Sequence, residues 1–254
     1  MNISYHPISE NEINDWYCNL EFQSILDNVY YDIVQNGRKF QLDEESLKTY
    51  LAIMKMAAQN AKLKDNFDQA HGYNIALIQG LFREYFYVKN FSFSNLINEK
   101  SYFERYTKKW EDIVSQQITH NTNNRISGSK SSGVYIPESK VVELLQDYNK
   151  KGSVQDDINQ FFSGYAPIFI KSLEYAKLKK IGLLEACDII SKDFLESGES
   201  VFDIIIENCD EESLNFAPVE KTTSSKTQKV VETEKNQQPS KKTEKKGIWK
   251  KLFG

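Results

Sequence analysis

The chain has 254 residues, 40% hydrophobic and 13% aromatic, with a formal net charge of -4; that is ample for a hydrophobic core and excludes a fully disordered chain. Eleven Gly and five Pro are too few for a turn-rich β sandwich or barrel, and three scattered cysteines, Cys18, Cys187 and Cys209, argue for reduced thiols over a disulfide framework. Charge is unevenly divided. Residues 217–254 hold ten Lys against four Glu, which leaves the first 216 residues at -10. An acidic body of that kind argues against nucleic acid and suits a basic protein partner, while the basic tail suits an acidic surface.

The opening stretch "MNISYHPISENEIND" has neither a basic segment nor an apolar run of the kind a secretory leader needs, and no apolar stretch is long enough for a transmembrane helix. Cytoplasmic residence is the expectation. Ser9 followed by Glu12 has capping-box spacing and predicts a helix start. Apolar residues then recur through Ile13, Trp16, Tyr17, Leu20, Ile25, Val29 and Ile33 until Gly37. Asp43, Glu44 and Glu45 precede a second helical pattern through Leu47, Leu51 and Met54. Further helices are predicted over 67–88 and 93–118.

From 119 to 136 the chain is rich in Asn, Ser and Gly and reads as a loop or joint. Pro137 suits a first helical turn and Gly152 a stop, and helical spacing continues over 154–162, 167–180, 183–196 and 200–208. After Phe216 the composition turns to Lys, Thr, Glu, Gln and Ser, which predicts disorder. The expected fold is therefore all-α: a multi-helix body with helical regions 1–118 and 137–216, joined through 119–136, and a disordered basic tail over 217–254.

The stretch "AHGYNIALIQGLFREYFYV" supplies the main candidate site. Gly72, Ala76 and Gly80 form a stripe of small residues on a helix, at a cost of about 1 kcal/mol for each interior Gly relative to Ala. Close packing against another helix would offset that cost. Gln79, Glu84, His71 and Arg83 bring polar groups to an otherwise apolar helix. On one reading Arg83 pairs with a carboxylate and His71 with a backbone carbonyl; on another the stripe lines a cleft where Arg83 and His71 meet an anion. Gly128 and Gly133 have the separation of a phosphate-binding loop, but Val134 and Tyr135 stand where Lys and Ser or Thr are required. That loop is a possible lid and no nucleotide site.

Ten of the 29 residues from Phe82 to Trp110 are aromatic; the spacing of Phe103, Tyr106 and Trp110 is that of a core. His6, His71 and His120 lie in distant segments without metal-ligand spacing, and no nucleophile elbow occurs. No cofactor, metal or catalytic residue is expected, and the chain leans away from enzyme chemistry.

The tail ends "KKGIWKKLFG". On a helix, Ile248, Trp249, Leu252 and Phe253 share one face, with Lys250 and Lys251 opposite; so short a helix is ordered only by what it touches. A protein groove, an anionic membrane surface or the chain's own body would each suit it. The leading functional expectation is a non-enzymatic adaptor, or an antagonist of a basic partner, whose tail tip docks on a second partner. Alternatives are an enzyme with an anionic substrate beside the Gly72 stripe, and recruitment to anionic membranes by the tail.

Overall fold

The computed structural model describes residues 1–20, 31–63, 69–114, 124–190 and 203–216. Strand β1 (Ile3–Ile8) leads into a one-turn helix α1 (Glu10–Ile13) and a π turn over Asn14–Cys18. Helices α2 (Tyr31–Lys39), α3 (Glu44–Leu63) and α4 (Gln69–Phe82) follow, then strand β2 (Phe86–Tyr87) and helix α5 (Phe93–Glu99). Strand β3 (Ser132–Ile136) precedes α6 (Glu138–Asn149), α7 (Ser153–Phe162) and α8 (Ala166–Lys179). Strand β4 (Gly182–Cys187) and the short helices α9 (Asp203–Glu207) and α10 (Glu211–Leu214) complete the order.

This overturns the all-α, helical-bundle expectation. The strands form one antiparallel sheet in the order β2-β1-β4-β3, so the fold is mixed α/β. Six residues of β1 pair with β4, from Ile3 opposite Cys187 to Ile8 opposite Gly182. Helices cover both faces. Ile8, Tyr135, Leu184 and Ala186 pack beneath α3 and α4, while Ile3, Tyr5, Val134, Ile136 and Leu183 pack beneath α5 to α8. Every strand is buried on both sides, which erases the period-two alternation of a half-exposed strand and leaves apolar runs that resemble buried helix. "GLLEAC" reads as the opening of a helix for that reason.

Both sheet edges are covered. Along β2, Tyr85 N donates to Asn208 O at 3.1 Å, Asp210 N to Tyr85 O at 2.8 Å and Tyr87 N to Ser213 Oγ at 3.0 Å. Along β3, Lys108 N donates to Tyr135 O at 2.9 Å. Edges satisfied in this way offer no row of free backbone groups at those positions to another chain.

Several local signals act as read. Ser9 Oγ accepts from Glu12 N at 3.2 Å, and Ser9 N donates back to Glu12 Oε2 at 2.8 Å, closing the capping box. Asp43 Oδ1 accepts from Ser46 N at 2.7 Å, so the acids at 43–45 open α3; Asp210 Oδ1 accepts from Ser213 N at 2.8 Å and opens α10 in the same way. Gly152 does not stop a helix; it caps the start of α7. The predicted helix over 93–118 breaks after Glu99 into two short 3-10 turns, Ser101–Tyr106 and Trp110–Asp112. Residues Met1–Val219 form one compact unit. Among the described residues no helix is long and apolar enough to cross a membrane.

Candidate functional site

The residues singled out on α4 are brought against the sheet. Gly72 lies over β3: a Cβ there would come within 2.5 Å of Ser132 Cβ and 3.2 Å of the Trp110 ring. At Gly80 a Cβ would meet Ile205 Cγ2 at 2.7 Å. Ala76 is fully buried between them. The stripe admits a strand on one side and α9 on the other, where the sequence argument expected a helix backbone or a cleft. Gly72→Ala pits two effects against each other, since Ala favours a helix by about 1 kcal/mol but overpacking costs about 1–3 kcal/mol. The obstructing Ser132 Cβ cannot rotate away. Gly72→Ala is expected to lose about 2 kcal/mol in urea unfolding, and Gly80→Ala a comparable amount, because Ile205 Cγ2 is a branch methyl that moves only through a χ1 held stiff in a helix.

Arg83 forms a two-pronged pair with Glu12, one prong through Nη1 to Oε2 at 3.3 Å, and its guanidinium lies 5.3 Å from the Trp16 ring centre. Glu12 thus closes the capping box and anchors α4 to α1. His71 Nδ1 shares a hydrogen bond with the Tyr17 hydroxyl. Gly128 lies in open space with φ +149°, whereas Gly133 lies inside β3. The tail positions Ile248, Trp249, Lys250, Lys251, Leu252 and Phe253, and His120, lie outside the described residues.

Two buried polar clusters flank β1, one on each face. His6 Nδ1 donates to Gln79 Oε1 at 2.6 Å, and Ser4 Oγ donates to Nε2 at 2.8 Å in the tautomer this implies. The ring stacks on Tyr85 with centres 4.6 Å apart. Burial lowers the imidazole to about 3, against a smaller upward pull from Gln79; it is a neutral structural group at ordinary pH.

On the other face Glu185 is wholly buried and accepts from Ser94 N at 3.3 Å, from Ser94 Oγ, from Val134 N at 3.3 Å and from Tyr5 Oη at 3.2 Å. The Ser94 N–H belongs to the first turn of α5, so the carboxylate satisfies an orphan helix donor. Val134 sits where the β3–β4 register slips between Ser132 and Tyr135, and Glu185 takes the N–H that this irregularity frees from the ladder. Gly133 makes this possible, because a Cβ there would approach Glu185 Cδ to 2.9 Å. Burial holds the carboxyl above the usual range, opposed by the Ser94 and Val134 donors. Sequence reasoning passed over Glu185; an acid inside the apolar run "GLLEACDII" was the available signal.

An open concavity lies elsewhere, between α5 and α7. It encloses about 430 Å³ and is lined by Asn90, Phe91, Leu96, Glu99, Lys100, Asp157, Gln160 and Phe161. Ser92 Oγ caps α5 by accepting from Asn95 N at 3.1 Å, and α7 buries Val154, Ile158 and Phe162 at successive turns. That packing leaves Asp157 and Phe161 on the flank facing the groove. Phe91 and Phe161 meet nearly edge to face, 6.4 Å between centres. Lys100 Nζ lies 3.2 Å from Asp157 Oδ1, and Tyr102 Oη donates to Oδ2 at 2.8 Å. The Tyr102 hydrogen bond, with help from Lys100, holds Asp157 below the ordinary carboxylate range against the opposing effect of burial.

The cysteine thiols are buried, and burial pushes Cys18, Cys187 and Cys209 up to about 12, so they are poor nucleophiles. Among the described residues no group of three or more His, Cys, Asp or Glu is placed to hold a metal ion. Comparison with protein-family models, with curated proteins and with solved structures finds no match.

Proposed function

We propose that the protein is a non-enzymatic binding protein of the cytoplasm, an adaptor or antagonist whose acidic body engages a basic partner while the tail tip engages a second. The observation that carries this reading is how the body disposes of its reactive side chains. His6, His71 and Glu185 are buried and hydrogen-bonded to neighbours, and the three thiols are buried and protonated. The groove between α5 and α7 is instead lined by two phenylalanines, two carboxylates and one ammonium. Aromatic side chains are enriched at protein interfaces, and the carboxylates add a preference for cationic partners.

The charge division supports the same reading, since a body at -10 steers towards cationic surfaces. Capture experiments with the full chain and with a chain lacking residues 217–254 test it. Two partner sets are expected, with the basic partner retained by the shortened chain and a second partner lost. Identical sets would remove the tail from the function. Capture of acidic partners alone by the body would overturn the role assigned to its charge.

A further inference from the structure

The groove between α5 and α7 has a composition that selects a ligand. Its carboxylates, Glu99 and Asp157, outnumber its one cation, Lys100. The aromatic side chains that line it are Phe91 and Phe161, both half-buried and set nearly at right angles. The two rings thus line the same groove as the two carboxylates, a combination of aromatic surface and negative charge that attracts an alkylammonium group. The protein already seats one ammonium there, since Lys100 reaches Asp157 at 3.2 Å while remaining 46% exposed along its side chain. About 430 Å³ accommodates a lysine side chain, whose methylene stem lies well on an aromatic surface while the charged end stays at the rim.

We propose that this groove seats a lysine side chain presented by a basic segment of a partner protein, with its stem on Phe91 and Phe161 and its ammonium on Glu99 and Asp157. The assignment rests on the reading of the body as a binder of basic partners and gives that reading a location. Lys100 is then an internal competitor for Asp157, and it sets the sign of the test. Removing Lys100 strengthens capture of a cation and weakens capture of an anion.

The full chain is titrated with a short neutral-capped peptide carrying one central lysine, and with its norleucine twin, following the amide signals of Phe91, Glu99 and Phe161 by NMR. The lysine peptide is expected to shift these signals and the norleucine peptide to leave them unmoved. Glu99→Gln is expected to weaken the lysine peptide about 3-fold, and Lys100→Met to tighten it by about the same factor, as one exposed charge contact warrants. Both substitutions fall on exposed side chains, so the amide spectrum away from the groove reports an intact fold. Equal binding of the twin, weaker binding by Lys100→Met, or no shift with either peptide overturns the assignment. If Glu99→Gln still captures the basic partner whole, only the groove is refuted. If the unaltered body captures no basic partner, the wider reading falls with it.

Discussion

Glu185→Ala is expected to destabilise the protein by about 3 kcal/mol, because it leaves the buried Ser94 and Val134 N–H groups without an acceptor, at about 1–3 kcal/mol each. The side chain joins three elements: β4, which carries it; the first turn of α5 through Ser94; and the displaced stretch of β3 through Val134. Tyr5 adds a contact from β1, and its hydroxyl in turn accepts from Phe93 N at 2.8 Å. Two of the partners, the Ser94 and Val134 N–H groups, can only donate, and two are hydroxyls that can also accept. Glu185→Gln is therefore a partial substitute: its carbonyl oxygen can take the N–H groups, and its NH₂ has only the Tyr5 and Ser94 hydroxyl oxygens to donate to. The order of stability expected in urea unfolding is wild type, then Gln, then Ala. A loss below about 1 kcal/mol in the Ala variant would show that water replaces the carboxylate easily, and would refute the account of α5 placement.

The second large effect is acid lability through His6. Burial holds its folded-state pKa at about 3 against an ordinary 6.5. Between those values the unfolded chain binds a proton that the folded chain refuses. Stability from this group is thus complete above pH 6.5 and falls by about 1.4 kcal/mol per pH unit on acidification, until the folded state also protonates near pH 3. At pH 4.5 the loss is about 3 kcal/mol. Glu185 acts in the opposite sense, since its folded-state value lies above the ordinary one and favours the folded chain in acid. Comparing wild type with His6→Gln isolates the histidine. The variant is expected to be less stable at neutral pH yet to show a flatter profile from pH 6.5 to 4.5, and parallel profiles would refute the claim.

How much was legible follows from which interactions are local. The capping box at Ser9 and Glu12, the acid-led start at Asp43, and the spacing of Val154, Ile158 and Phe162 act within one or two helical turns. Each can be read from neighbouring residues alone. β1 and β4 pair across some 180 positions, and each is buried on both faces. Nothing nearby distinguishes "GLLEAC" from the first turns of a buried helix. With strand at about 13% of the described residues, low Gly and Pro counts carried no warning of a sheet.

The candidate site divides the same way. Arg83 and His71 stand out as polar groups on an apolar helix, but only the fold supplies Glu12 and Tyr17 as their partners. Gly72 and Gly80 announce a close approach, and the fold decides that it is made by Ser132 and Ile205. Gly133 stands out for its spacing from Gly128, yet its reason for being glycine is a carboxylate 52 positions downstream, Glu185. Phe91, Glu99, Asp157 and Phe161 carry no shared pattern in the sequence; α5 and α7 bring them together by packing. What the sequence by itself determined is the charge division, the reduced thiols, the helix caps and most of the helices, all properties of composition or of residues within a few positions. What only the tertiary structure decided is the sheet, the partners of every buried polar group and the groove. Those arise from contacts whose cost in chain entropy is met by burial of the whole core, which no short window contains.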